Sequence, residues 1–77
     1  MKTQQVQVTA IFEADGKIIP AKFKVNEMNV LVQKILKTYE MKSFGSRYVV
    51  FDCLHNGKDN YQLKYDIDTS LWYLLSK

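Results

Sequence analysis

An Asp-Gly pair, Asp15-Gly16, lies between two stretches in which apolar and polar residues alternate. Glycine adopts the positive φ that a tight hairpin turn requires, and aspartate tolerates it better than most residues. A two-residue type I′ turn at this pair would place residues whose numbers sum to 31 opposite each other. The apolar pairs are then Phe12 with Ile19, Ala10 with Ala21, Val8 with Phe23 and Val6 with Val25, and the polar pairs are Thr9 with Lys22 and Gln7 with Lys24. This stretch predicts a β-hairpin with one apolar and one polar face, because a one-residue slip would mix the two.

Pro20 falls on the polar face of this hairpin, opposite Ile11. Proline has no amide hydrogen to donate to a neighbouring strand. We therefore expect the second strand to have a free edge beside Pro20, or a bulge that interrupts the pairing there.

A second turn signal, Asn56-Gly57, predicts another hairpin. A tight turn here pairs residues whose numbers sum to 113 and gives one core-facing side, formed by Tyr48, Val50, Leu63 and Tyr65. Phe51 and Lys64 then lie on the opposite side. The strand at 48–54 is apolar on both faces, which is typical of a central strand, and residues 71–75 predict a short closing strand.

Residues 26–44 fit two structures almost equally well when only their own pattern is considered. The apolar side chains follow helical spacing, with Asn26 as an N-cap; they are Met28, Leu31, Val32, Ile35, Leu36 and Tyr39. Leu31, Ile35 and Tyr39 also share one face of a strand. Gly45 ends the element in both interpretations.

Four segments together resemble a family of small uncharacterised proteins from Gram-positive bacteria (Firmicutes). They are "ADGKIIPAKFKV", "VQKILKTYEMKSFGSRYVVFDC", "NGKDNYQLKYD" and "LWYLL". The shared features are a D-G-K-I-I-P-x-K hairpin, a Lys-Ile/Val-Leu stretch, a strand beginning Arg-Tyr, a Gly-Lys turn and a closing tryptophan. The resemblance spans residues 6–75 and implies that the middle segment is a strand. It implies no activity, because the family has none that is known.

Composition narrows the functional classes. The 77 residues form a single domain, 1–77, and no apolar run approaches the roughly 20 residues of a membrane span. With no secretory signal and one cysteine, Cys53, we expect a cytoplasmic protein without disulfides. One cysteine and one histidine are too few for a zinc site, and we expect no metal or cofactor. No glycine-rich phosphate loop or activated nucleophile is evident, so we expect no catalytic residues and no enzyme.

The sequence therefore predicts a mainly β domain, a small antiparallel barrel or curled sheet of five or six strands with SH3-like character. The alternative is an α+β fold with a helix at 28–41. The predicted function is a non-enzymatic interaction module that binds a protein partner or itself through an apolar patch formed by Val49, Phe51 and Trp72. The alternative is nucleic-acid binding through a basic and aromatic surface, since the net charge is +3. The predicted partner contacts are Lys22, Lys24, Phe51 and Lys64.

Overall fold

The structure, a computed structural model, describes residues 2–55 and 59–76. All regular structure in these residues is β. The seven strands are β1 (Lys2–Phe12), β2 (Ile18–Val25), β3 (Met28–Leu31), β4 (Lys34–Ser43), β5 (Ser46–His55), β6 (Asp59–Asp66) and β7 (Leu71–Ser76). The mainly β, curled antiparallel class is confirmed. The expected number of strands was too low, and the alternative helix at 28–41 is wrong because β3 and β4 cover that segment.

The middle segment forms strands because a turn and a bulge divide it. Asn26 and Glu27 both have positive φ, 49° and 64°, and form a two-residue type I′ turn instead of a helix start. In β4, Leu36 is a bulged residue: Ile35 lies opposite Cys53 and Lys37 lies opposite Asp52. The bulge adds one residue to the alternation, which produces the three-residue spacing that resembles a helix.

The strands form one sheet in the order β3-β2-β1-β7-β6-β5-β4. Strand β1 changes partner along its length, since residues 2–6 pair with β7 and residues 7–12 pair with β2. This exchange allows β1–β3 to curl over one side of β4–β7, where the ring centroids of Phe23 and Tyr61 lie 5.5 Å apart. We call the enclosed side of the sheet the inner face and the other side the outer face.

The core lies on the inner face. It contains Val6, Phe23, Phe51, Cys53, Leu63, Tyr65 and Trp72. Trp72 is central to it, with ring centroids 4.7 Å from Tyr65 and 5.7 Å from Phe51. Phe51 and Trp72 are therefore unavailable for the predicted apolar surface patch, and Val49 beside them is half-buried on the same inner face.

The first hairpin has the predicted register in its middle but not at its turn. The amide of Gly16 donates to the Glu13 carbonyl at 3.0 Å, and the Glu13 amide donates to the Lys17 carbonyl at 2.8 Å. The loop therefore contains three residues, 14–16, with Gly16 at a φ of 94°, and not the predicted two. The extra loop residue shifts the nearby pairs, and a bulge at Ala21 restores the predicted pairing of Val8 with Phe23.

Pro20 lies at this irregularity. It faces Ala10 and is fully buried, so its predicted place on the polar face is wrong, although the expected bulge is present. The same shift pairs Ile11 with Ile19 on the outer face, where both remain exposed, and the predicted pair of Phe12 with Ile19 does not form.

The second hairpin is one residue out of step with its predicted register, and its predicted turn at Asn56-Gly57 lies outside the described residues. Phe51 pairs with Leu63, and Val50 pairs with Lys64. Leu63 and Tyr65 belong to the core as predicted. Tyr48 lies half-buried on the outer face instead, because β5 is apolar on both sides and its own pattern does not select one of them. Val50 also points to the outer side of the sheet, but it is buried as predicted, with 2% of its surface exposed.

Phe44 is the one large apolar residue held at positive φ (49°) in the described part of the chain. It begins the two-residue turn between β4 and β5, and its side chain is fully exposed. An L-residue other than glycine or asparagine loses about 1–2 kcal/mol in this conformation. We expect Phe44→Asn to raise the free energy of unfolding by about 1 kcal/mol, measured by urea denaturation. Phe44→Ala removes the same ring without relieving φ, so an equal gain in that variant would contradict the backbone explanation.

Candidate functional site

Three of the four predicted contact residues share the outer face. Lys22 and Lys24 project from β2 and are exposed, and Lys64 projects from β6 and is half-buried. Phe51 does not belong to this surface, because it points to the inner face and is 1% exposed. The three predicted lysines therefore lie on one surface, whereas the prediction that Phe51 belongs to the same surface is wrong.

Tyrosines provide the aromatic groups of the outer face. Direct pairing across five neighbouring strands forms one row, which consists of Tyr39, Val50, Lys64, Tyr73 and Gln5. Tyr48 adjoins this row from β5. The Lys64 ammonium lies 4.5 Å from the ring centroid of Tyr48 and 5.8 Å from that of Tyr73, close enough for cation–π attraction to both.

The outer face is basic. It carries five lysines, which are Lys22, Lys24, Lys34, Lys37 and Lys64, and two acids, which are Asp52 and Asp66. Asp52 accepts a hydrogen bond from Gln62 at 2.6 Å. Asp66 is buried and accepts from the amides of the turn that follows it, at 3.0 and 3.3 Å. Among the side chains that the structure describes, the one ion pair joins Arg47 to Asp68, so none of the five ammonium groups is paired with a described carboxylate.

A separate cleft of about 510 Å³ opens between β2 and β4. Its apolar lining comes from Ile18, Ile19, Ile35 and Val49, and its polar lining comes from Gly16, Lys17, Thr38, Tyr39 and Glu40. The cleft exists because the sheet curls without closing: β3 and β4 are its two end strands.

Both sides of this cleft are strand edges. Among the strands of the described residues, β4 pairs with β5 only. Strand β3 pairs with residues 22–25 of β2, and one further bond joins the Val32 amide to the Ala21 carbonyl at 2.9 Å, so residues 18–20 pair with β1 alone. Backbone groups on an unpaired edge are available to an added strand.

The one thiol of the chain is buried in the core. Cys53 has no exposed surface, and its Sγ donates to the Phe51 carbonyl at 3.5 Å. Burial raises the pKa of this thiol to about 11, so the reactive thiolate is scarce at neutral pH. The neighbouring Tyr61 hydroxyl is also buried, and it has no hydrogen-bond partner among the described residues.

Other kinds of site receive no support from the described part of the chain. It contains no group of three or more histidine, cysteine or acidic side chains placed to hold a metal ion, and no helix with the length and apolarity to cross a membrane. No family model, curated protein or solved structure matches the chain in comparisons with known proteins. The resemblance to the Gram-positive family therefore stays a prediction.

The sequence contained a signal for Lys64 on the outer face but none for the tyrosines beside it. In β6, polar residues alternate cleanly with Tyr61, Leu63 and Tyr65, which assigns Lys64 to the outer face without reference to any partner strand. Tyr73 follows the buried Trp72 in a run, residues 71–75, that is apolar throughout, so its face could not be assigned from the sequence. Nothing in the sequence indicated the open cleft, because the cleft exists only where β3 ends before it reaches residues 18–20 of β2.

Proposed function

We propose that the protein is a non-enzymatic interaction module that binds an extended segment of a partner protein in the cleft between β2 and β4. The observation that carries the proposal is the pair of unpaired strand edges on either side of an apolar cleft. A strand added there gains main-chain hydrogen bonds from an edge, and its alternate side chains enter the apolar lining.

The charge of β4 favours a partner over a second copy of this chain. Strand β4 carries three lysines, Lys34, Lys37 and Lys42, against one acid, Glu40, and all four are exposed. Pairing of β4 with another β4 would bring these lysines together, and edge lysines are a common barrier to such pairing. The segment that fits is apolar at alternate positions and acidic between them.

The test is a titration of the isotope-labelled protein with a synthetic peptide of alternating valine and glutamate, followed by two-dimensional NMR. We expect amide shifts confined to residues 17–19 and 35–40. Thr38→Arg, which places a charge in the cleft, should weaken binding about tenfold or more, since tenfold corresponds to ~1.4 kcal/mol. Met41→Arg adds the same charge on the outer side of β4 and is expected to bind like the unmodified protein.

Two controls separate this interpretation from its competitors. A peptide of the same composition with all its valines at one end should not bind, because it cannot alternate across the cleft. Equal binding of the two peptides, or equal loss in the two arginine variants, would refute strand addition. If light scattering shows a dimer when no peptide has been added, a second copy of this chain, and not a partner protein, occupies the cleft.

A further inference from the structure

We propose that the outer face binds single-stranded nucleic acid, at a surface that shares only Tyr39 with the lining of the cleft. The surface comprises the basic residues Lys22, Lys24, Lys37 and Lys64 and the aromatic residues Tyr39, Tyr48 and Tyr73. Its charge is the first argument. The lysines form no ion pair within the described residues, and the two acids of this face already accept hydrogen bonds from the protein.

The tyrosines distinguish a nucleic acid from other polyanions. Lys64 holds its ammonium beside the rings of both Tyr48 and Tyr73, and Lys37 lies 5.3 Å from the ring centroid of Tyr39. Each lysine therefore presents a positive charge next to an aromatic ring. A nucleotide matches this arrangement because its base stacks on an aromatic ring while its phosphate pairs with an ammonium group.

The nucleic acid must be single-stranded to match this arrangement of lysines and tyrosines. In a duplex the bases stack on each other, and a sheet surface that does not enter a groove reaches mainly the phosphates. An unpaired strand presents both base faces and backbone. An acidic peptide would use the lysines but leave the tyrosines without a role.

The sheet supplies a continuous path for the strand. From β2 to β6 the order is β2, β1, β7, β6, so Lys24 and Lys64 are three strand spacings apart, about 14 Å across the strands at ~4.8 Å each, and are offset by two residues along them. Between them the outer face is polar: Gln7 lies opposite Lys24, and Gln5 lies opposite Tyr73. A nucleic-acid strand that crosses the sheet would therefore meet the lysines of β2, which bind phosphate. It would then meet Tyr73 on β7, Lys64 on β6 and Tyr48 on β5, where its bases stack on the tyrosines.

Fluorescence anisotropy with a labelled mixed-sequence oligonucleotide of about 12 nucleotides, within the ~4–16 that small barrels cover, tests the proposal. We expect binding at low salt that weakens steeply as salt is added. Lys22→Gln with Lys24→Gln should lower the slope of log affinity against log salt by about 1.4, or ~0.7 per phosphate contact. Tyr73→Leu should weaken binding at least about fivefold through lost stacking, whereas Tyr73→Phe should stay within about twofold.

Matched controls decide between this ligand and general attraction of anions. Lys42→Gln removes one charge from the inner side of β4, so it should change the salt slope by less than the ~0.7 expected for the loss of one phosphate contact. The duplex of the same sequence and polyglutamate should both bind more weakly than the single strand. No binding at low salt, equal binding of polyglutamate, or an unchanged affinity in Tyr73→Leu would overturn the proposal. Binding of polyglutamate alone would assign the face to an acidic protein.

Discussion

Replacing Phe51 with alanine is expected to lower the free energy of unfolding by about 3–5 kcal/mol, the range for truncating a buried phenylalanine. Phe51 is 1% exposed, pairs with Leu63 and stacks on Trp72. A domain of 77 residues has a total stability of roughly 4–12 kcal/mol at ~0.05–0.15 kcal/mol per residue. The substitution therefore removes a large share of the stability. Urea denaturation followed by far-ultraviolet circular dichroism and Trp72 fluorescence measures the loss.

Tyr48→Ala provides the matched control, because Tyr48 lies on the opposite side of the same strand and is half-buried. We expect it to cost about 1 kcal/mol, as is typical of a partly exposed position. The comparison tests the strand register directly. In the register that the sequence predicts, Tyr48 would be in the core and Phe51 would be outside it, so a larger loss in Tyr48→Ala would show that the observed register is wrong.

The first hairpin shows how far alternation alone predicts a fold. The opposition of Val8 and Phe23 follows from the pattern, because both neighbours of each are polar. The loop length does not follow, since Asp-Gly suits either a two-residue turn or a three-residue loop that ends in glycine. The loop shifted the pairing by one residue, and the bulge at Ala21 compensated for it, so the middle of the hairpin was predicted correctly despite an incorrect turn.

The second hairpin shows where alternation fails. In β5, residues 48–51 are all apolar, so the strand fits either register, and the choice depends on a curled neighbour that the sequence does not describe. Strand β6 alternates and was assigned correctly. For the same reason the predicted lysines were placed on the correct face, because they lie on alternating strands. The aromatic residues were missed, because Tyr48 and Tyr73 lie in apolar runs and Tyr39 follows the bulge in β4.

Raising the pH from 9 to 11 is expected to remove about 2 kcal/mol of stability through Cys53. Burial raises the pKa of its thiol from 9.0 to about 11 in the folded protein. Between these values the unfolded chain loses the proton and the folded chain keeps it, so stability falls by ~1.4 kcal/mol per pH unit. The contribution is complete below pH 9 and is lost as the pH rises through 11. Burial also raises the pKa of Tyr61, which adds to the loss above pH 10. Urea denaturation at several pH values measures the dependence.

Two variants separate these contributions. Cys53→Ala should have a flatter stability profile between pH 9 and 10, although it begins lower because it leaves a small cavity. Tyr61→Phe should be more stable than the unmodified protein by about 1 kcal/mol at neutral pH, because it removes a buried hydroxyl that has no hydrogen-bond partner among the described residues. Its profile should also be flatter above pH 10. If Cys53→Ala follows the unmodified protein between pH 9 and 10, the alkaline loss comes from other groups, and the thiol titrates normally in the folded state.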